Sequence, residues 1–78
     1  MGIIIYLNGK KEEISKDTNI SKLLEIKKIR PEVVTVEVNE KIIEREKYSQ
    51  VYLKDNDKVE FVYYMGGGIY FIQELTVK

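Results

Sequence analysis

Gly66, Gly67 and Gly68 form a run whose type and spacing bear on chemistry, with ten residues following it. They come directly off a strand-like segment, Lys58 to Met65. Glycine reaches backbone conformations closed to other residues, but ordering it is entropically expensive, so the run would weaken a strand or helix. At a strand end it makes an arm slim enough to enter a narrow channel on another protein. The alternative is a flexible linker to the last ten residues. It is not a phosphate loop, because neither a helix nor a Lys-Ser/Thr pair follows.

Other candidate sites carry less. Asp55, Asp57 and Glu60 bring carboxylates together but lack the spaced ligands and fixed glycine of a calcium loop, so they read as a solvated turn. Arg45 and Glu46 read either as a local ion pair pinning the segment 44–50 or as part of a partner contact. Histidine and cysteine are absent, which removes the commonest general base, a thiol nucleophile and any disulfide. No metal site is expected. Thirteen basic and thirteen acidic residues cancel and are interspersed, against the basic face that a nucleic-acid partner requires. The aromatic residues, six Tyr and two Phe, are scattered and read as sheet packing. No apolar run approaches the ~20 residues of a membrane span, and a soluble, cytoplasmic protein is expected.

The elements that position the glycines follow from periodicity. Ile3 to Leu7 is β-branched and aromatic, and Asn8-Gly9 is the strongest short hairpin signal. Lys10 to Ile14 is the returning strand. Thr18, Asn19 or Ser21 can cap a short amphipathic helix from Ile20 to Lys28, which Pro31 stops. Val34, Val36 and Val38 alternate as the buried face of a third strand. Glu40-Lys41 turns the chain, and Lys41 to Ile43 pairs back weakly. The segment 44–50 is polar and irregular, Val51 to Leu53 a short strand, and 54–57 a turn. Along Lys58 to Tyr64, Val59 and Phe61 face inward and Glu60, Val62 and Tyr64 outward. The resulting ββαββ order predicts an α+β fold of the β-grasp, ubiquitin-like type: a mixed sheet of four to five strands covered by one helix. The expected organisation is a β-grasp domain over 1–65, a flexible glycine arm over 66–68 and a C-terminal extension over 69–78.

With that order in place, the chain resembles the ThiS group of ubiquitin-like sulfur carriers (ThiS/MoaD superfamily) over residues 3–68. The resemblance rests on Asn39 with Ile42-Ile43, Arg45-Glu46 with Tyr48, Leu53 with Asp55 and Asp57, and the glycine end. The MoaD group usually carries Pro-Pro before its glycines, where this chain has Val62-Tyr63-Tyr64-Met65. The resemblance implies a carrier, not an enzyme. The last glycine's carboxylate, on Gly68 or alternatively Gly67, is adenylated with ATP by an E1-like, ThiF-like adenylating enzyme and becomes a thiocarboxylate. ATP belongs to that partner, and no cofactor is bound by the carrier. A cysteine desulfurase is the kind of sulfur donor implied. The acceptor is a ThiG-like thiazole synthase of thiamine synthesis, or alternatively an enzyme of cysteine, homocysteine or molybdopterin synthesis. A ubiquitin-like binding module that carries no sulfur is the reading from a different class.

Family members stop at the final glycine, whereas Ile69 to Lys78 follows here, so Gly68 as written has no free carboxylate. The tail reads as a native extension removed by a processing peptidase, as a segment appended by cloning, or as a sheet-adding strand in a chain that has lost the carrier role. Ile4, Tyr6, Val62, Tyr64 and Met65 are expected to form an apolar docking patch, outside the helix-covered core and beside the root of the arm.

Overall fold

The computed structural model describes residues 1–65 and 68–71, with side-chain surroundings through Tyr63. Strands β1 (Gly2–Leu7) and β2 (Lys10–Ser15) form an antiparallel hairpin, followed by helix α1 (Ile20–Lys27). A 3-10 turn over Pro31–Val33 leads into β3 (Val34–Val38) and β4 (Lys41–Ile43). A second 3-10 turn over Arg45–Lys47 precedes β5 (Lys58–Met65) and β6 (Gly68–Phe71). The sheet runs β2-β1-β5-β3-β4, with β6 paired to β5 off that path. β1 and β5 are parallel and the other pairings antiparallel, so the expected β-grasp arrangement is present.

Local chemistry builds each hairpin. Asn8 and Gly9 have φ of 52° and 86°, the positive pair that a type I′ turn needs, and Leu7 pairs with Lys10 across them. The β3–β4 turn has the same form at Asn39 and Glu40, φ 53° and 71°, between paired Val38 and Lys41. The turn therefore sits one residue earlier than Glu40-Lys41, because Asn enters the left-handed region more readily than other residues.

Asn19 is the helix cap among the three candidates: its Oδ1 accepts the Lys22 N–H at 2.7 Å. The helix ends at Lys28, φ 61°, whose N–H is held by the Glu25 and Leu24 carbonyls. That left-handed closure, two residues before the proline's neighbour Arg30, is what stops the helix. Pro31 instead opens the 3-10 turn.

Ile20, Leu23 and Leu24 of α1 pack on Ile5, Leu7, Val34, Val36, Val59 and Phe61 to form the core, joined by Tyr48 and Leu53. The alternation that predicts these faces holds along β1, β3 and β5. Val51 to Leu53 departs from expectation: it makes an isolated bridge, Tyr52 with Asn19, rather than a strand. The Leu53 and Ile20 N–H groups are committed to the Thr18 and Val51 carbonyls, which ties the segment to the helix entry. Tyr48 is buried inside a segment read as polar and irregular, and its carbonyl accepts the Ser21 N–H.

Phe61 is fully buried at the centre of this core. Phe61→Ala is expected to cost about 3–5 kcal/mol, a large part of the ~5–15 kcal/mol that a domain has in total. Urea unfolding would show this as a lower midpoint with little change in slope.

Candidate functional site: the C-terminal end of β5

The glycine run leaves from β5, so whatever fixes β5 fixes the site. Two hairpin asparagines grip this strand from opposite edges. On the β1 side, the Asn8 N–H donates to the Val59 carbonyl at 2.8 Å, and its Oδ1 accepts the Phe61 N–H at 2.9 Å. On the β3 side, the Asn39 N–H donates to the Lys58 carbonyl at 2.8 Å and its Oδ1 accepts the Lys58 N–H at 3.0 Å. Asn39 Nδ2 also donates to Asp57 Oδ1 at 2.9 Å, while Asp57 Oδ2 accepts the Lys54 N–H at 2.8 Å. The sequence marks Asn8 as a turn residue and Asn39 as a family residue, with no sign of these bonds. Their side-chain partners lie 53 and 19 positions away, beyond any local pattern.

The acidic cluster resolves into backbone ties. Asp55 Oδ1 accepts the Ile4 N–H at 2.7 Å, and Asp57 closes its own turn. No group of three or more His, Cys, Asp or Glu residues that could hold a metal occurs among the described residues. Arg45 donates from Nε to the Pro31 carbonyl at 3.2 Å and from Nη2 to the Glu32 carbonyl at 3.5 Å. It stitches the two 3-10 turns together rather than pairing with Glu46, which is exposed. The local ion-pair reading of these two residues is therefore replaced by a side-chain-to-backbone clamp.

Asn39→Gly keeps the turn conformation but removes two side-chain bonds at β5's entry. It is expected to cost about 1–2 kcal/mol, each exposed bond contributing near the low end of its range. Asn39→Ala should cost roughly 1 kcal/mol more, because alanine lacks the ease of the left-handed conformation. Chemical denaturation of the pair of variants separates the two contributions.

Ile4, Tyr6 and Val62 share the sheet face opposite the helix: Ile4 and Val62 are half-buried and Tyr6 is exposed. The structure does not bring them together. The parallel register sets Tyr6 opposite Lys58, so Val62 lies four residues further along β5, ~13 Å at the usual strand rise. Ile4 is displaced the other way, with its carbonyl accepting the Asn56 N–H. Lys58 and Glu60 fall between Tyr6 and Val62 on that face. Only Val62, beside Thr35 of β3, sits near the root of the glycine run. The backbones of Tyr64 and Met65 continue β5. Tyr63, on the core face, has its hydroxyl pKa pushed up by burial.

Gly68, expected at the tip of the arm, opens β6: Met65 pairs with Gly68, Tyr64 with Ile69, Tyr63 with Tyr70 and Val62 with Phe71. Gly66 and Gly67, and the expectation of a flexible arm there, lie outside the described residues, as does 72–78.

With this geometry in view, likeness to known proteins is decisive. The sequence model of the ThiS family matches residues 3–68. The chain belongs to the ThiS family. It is 41% identical over 66 residues to the sulfur carrier protein ThiS of Bacillus subtilis, covering 83% of this chain and all of that one. The crystal structure of the thiamine biosynthesis protein ThiS from Geobacter metallireducens superposes with a TM-score of 0.75 at 39% identity, over 85% of this chain and all of that one. A thiazole synthase of Magnetococcus marinus is 36% identical over 64 residues, covering 82% of this chain and 20% of the synthase. The family match closes at Gly68, the last residue of the glycine run. No helix among the described residues is long and apolar enough to cross a membrane.

Proposed function

We propose that this ThiS-family chain is a sulfur carrier for thiamine thiazole synthesis, with Gly68 as the reacting residue. The observation that carries the reading is the coincidence of the family match's end with the end of the glycine run. A carboxylate is inert toward sulfur donors because its leaving group would be oxide. Gly68's carboxylate oxygen therefore attacks the α-phosphorus of ATP on a ThiF-like activating enzyme, and pyrophosphate departs. A hydrosulfide-level sulfur then displaces AMP from the acyl carbon, forming the C–S bond of a thiocarboxylate and releasing a proton. No net oxidation or reduction is required.

The carrier's own contribution is positional. Asn8 and Asn39 hold β5, the strand that the glycines follow in the chain. Side chains at the last positions would widen the arm where the activating enzyme must close around the acyl phosphate and exclude water. A sequence without His or Cys is suited to this passive role. The likeness of the chain to one fifth of a thiazole synthase supports a ThiG-like acceptor, since segments joined in one polypeptide commonly act on the same substrate.

A second reading has an observation of its own. Pairing of β6 with β5 suits a ubiquitin-like binding module in which residues 69–78 remain part of the molecule. Intact-protein mass spectrometry of the chain from its host under thiamine-limited growth separates the two. A species ending at Gly68, with or without sulfur in place of oxygen, supports the carrier. Full-length chain alone would sink it.

A further inference from the structure

Strand β6 occupies a particular stretch of β5's edge. β1 runs alongside β5 only as far as Leu7 opposite Val59, then turns away through Asn8-Gly9. Asn8 Oδ1 covers the next N–H on that edge, at Phe61. Alternation along a strand turns the backbone groups of Tyr63 and Met65 to the same side as those of Phe61. These are the residues opposite Tyr70 and Gly68 of β6. β6 therefore continues, end to end with β1, the line of partners on one edge of β5. The other edge is taken by β3 as far as Val34 opposite Tyr63.

This arrangement has a consequence for Gly68 and the peptide bond after it. A peptidase takes its substrate as an extended strand whose own N–H and C=O groups face the enzyme. Within the β5–β6 ladder, part of that hydrogen-bonding capacity is committed to Tyr63 and Met65. The same backbone cannot serve at once as a ladder strand and as an arm reaching into another protein.

We propose that β6 is an autoinhibitory latch: pairing of Gly68–Phe71 with Val62–Met65 keeps the Gly68–Ile69 bond folded into the sheet until the strand opens. Hydrolysis then adds water across that amide. The C–N bond breaks, a C–O bond forms, the carboxylate stays on Gly68 and the amine leaves on Ile69. One cut both generates the reactive group and bares β5's edge from Val62 to Met65. Because β6 spans four residues and, among the described residues, pairs with β5 alone, the latch belongs to the easily opened end of the molecule's stability range. Its purpose rests on the carrier reading; its existence does not.

The test compares the full chain with Tyr70→Pro, which removes the N–H at a ladder position and resists strand geometry. Thermolysin, which cuts on the N-terminal side of apolar residues, serves as the probe peptidase. The proposal expects the Tyr63 amide to exchange at least about tenfold faster in Tyr70→Pro, while Val36 at the sheet centre is unchanged. Cleavage is read on Tyr70→Gly instead, which weakens the strand without placing proline two residues past the cut, and its rate of appearance of the 1–68 species should rise severalfold when opening precedes cleavage. Tyr63 exchange in Tyr70→Pro and cleavage of Tyr70→Gly both equal to those of the full chain would overturn the latch. Loss of Val36 protection would overturn it too, since β6 would then be an integral part of the fold. Neither readout involves ATP or an activating enzyme, so a failed latch and a failed carrier reading remain distinguishable.

Discussion

Mixed with ATP, its activating enzyme and a hydrosulfide source, a chain ending at Gly68 is expected to release pyrophosphate and then gain the mass difference between sulfur and oxygen. The 78-residue chain should do neither. The contrast is all-or-none because the full chain lacks the nucleophile itself: the Gly68 carbonyl is an amide, and the free α-carboxylate sits ten residues further on. A chain ending at Gly67 tests reach separately. It presents the same chemical group about 3.5 Å short, and a misplacement on that scale costs about a hundredfold or more in a positioned reaction. Pyrophosphate release and intact mass read all three chains. Equal rates for the 68- and 67-residue forms would mean that arm length is not what the activating enzyme measures.

Val62→Asp should weaken binding to the activating enzyme by tenfold or more, with the fold kept. Val62 is half-buried on the outer face and four residues from Gly66, where a partner that encloses the glycines must contact the sheet. An unpaired carboxylate trapped there loses its water without gaining a partner. Tyr6→Asp should have a smaller effect, because Tyr6 lies ~13 Å back along the strand, beside Lys58, whose ammonium can accept the new charge as a neighbour. Calorimetric titration of both variants, with melting temperatures alongside, checks this. Unchanged binding with a collapsed melting temperature for Val62→Asp would make Val62 a core residue.

Much of the fold was legible because its signals are local. Asn-Gly at 8–9 closes a hairpin by backbone conformation alone, and Asn19 caps a helix three residues from its partner. Alternation assigned Val34, Val36, Val59 and Phe61 to the core and Ile4, Tyr6 and Val62 to the opposite face. Where reading failed, the deciding partner was distant in sequence. The β-forming neighbours of Tyr52 predict a strand, yet the Leu53 N–H goes to Thr18, 35 positions earlier, and leaves one bridge. Arg45 was offered Glu46 by adjacency, but the carbonyls of Pro31 and Glu32 are better placed for a planar, multi-donor guanidinium.

Local signals suffice for which side chains face the helix, for the Asn8-Gly9 turn and for the three glycines after β5, while the β3–β4 turn falls one residue earlier than they place it. Tertiary structure alone decided how far along one another the strands sit. Side chains repeat with a period of two, so sliding β1 by two or four residues against β5 leaves every face assignment intact. What selects one register is a set of non-local bonds: Ile4 to Asp55, Asn8 to Val59 and Phe61, Asn39 to Lys58. That register separates Ile4 and Tyr6 from Val62 and ends β1's cover of β5 at Asn8. The edge of β5 left beyond that point is where Gly68–Phe71 pairs.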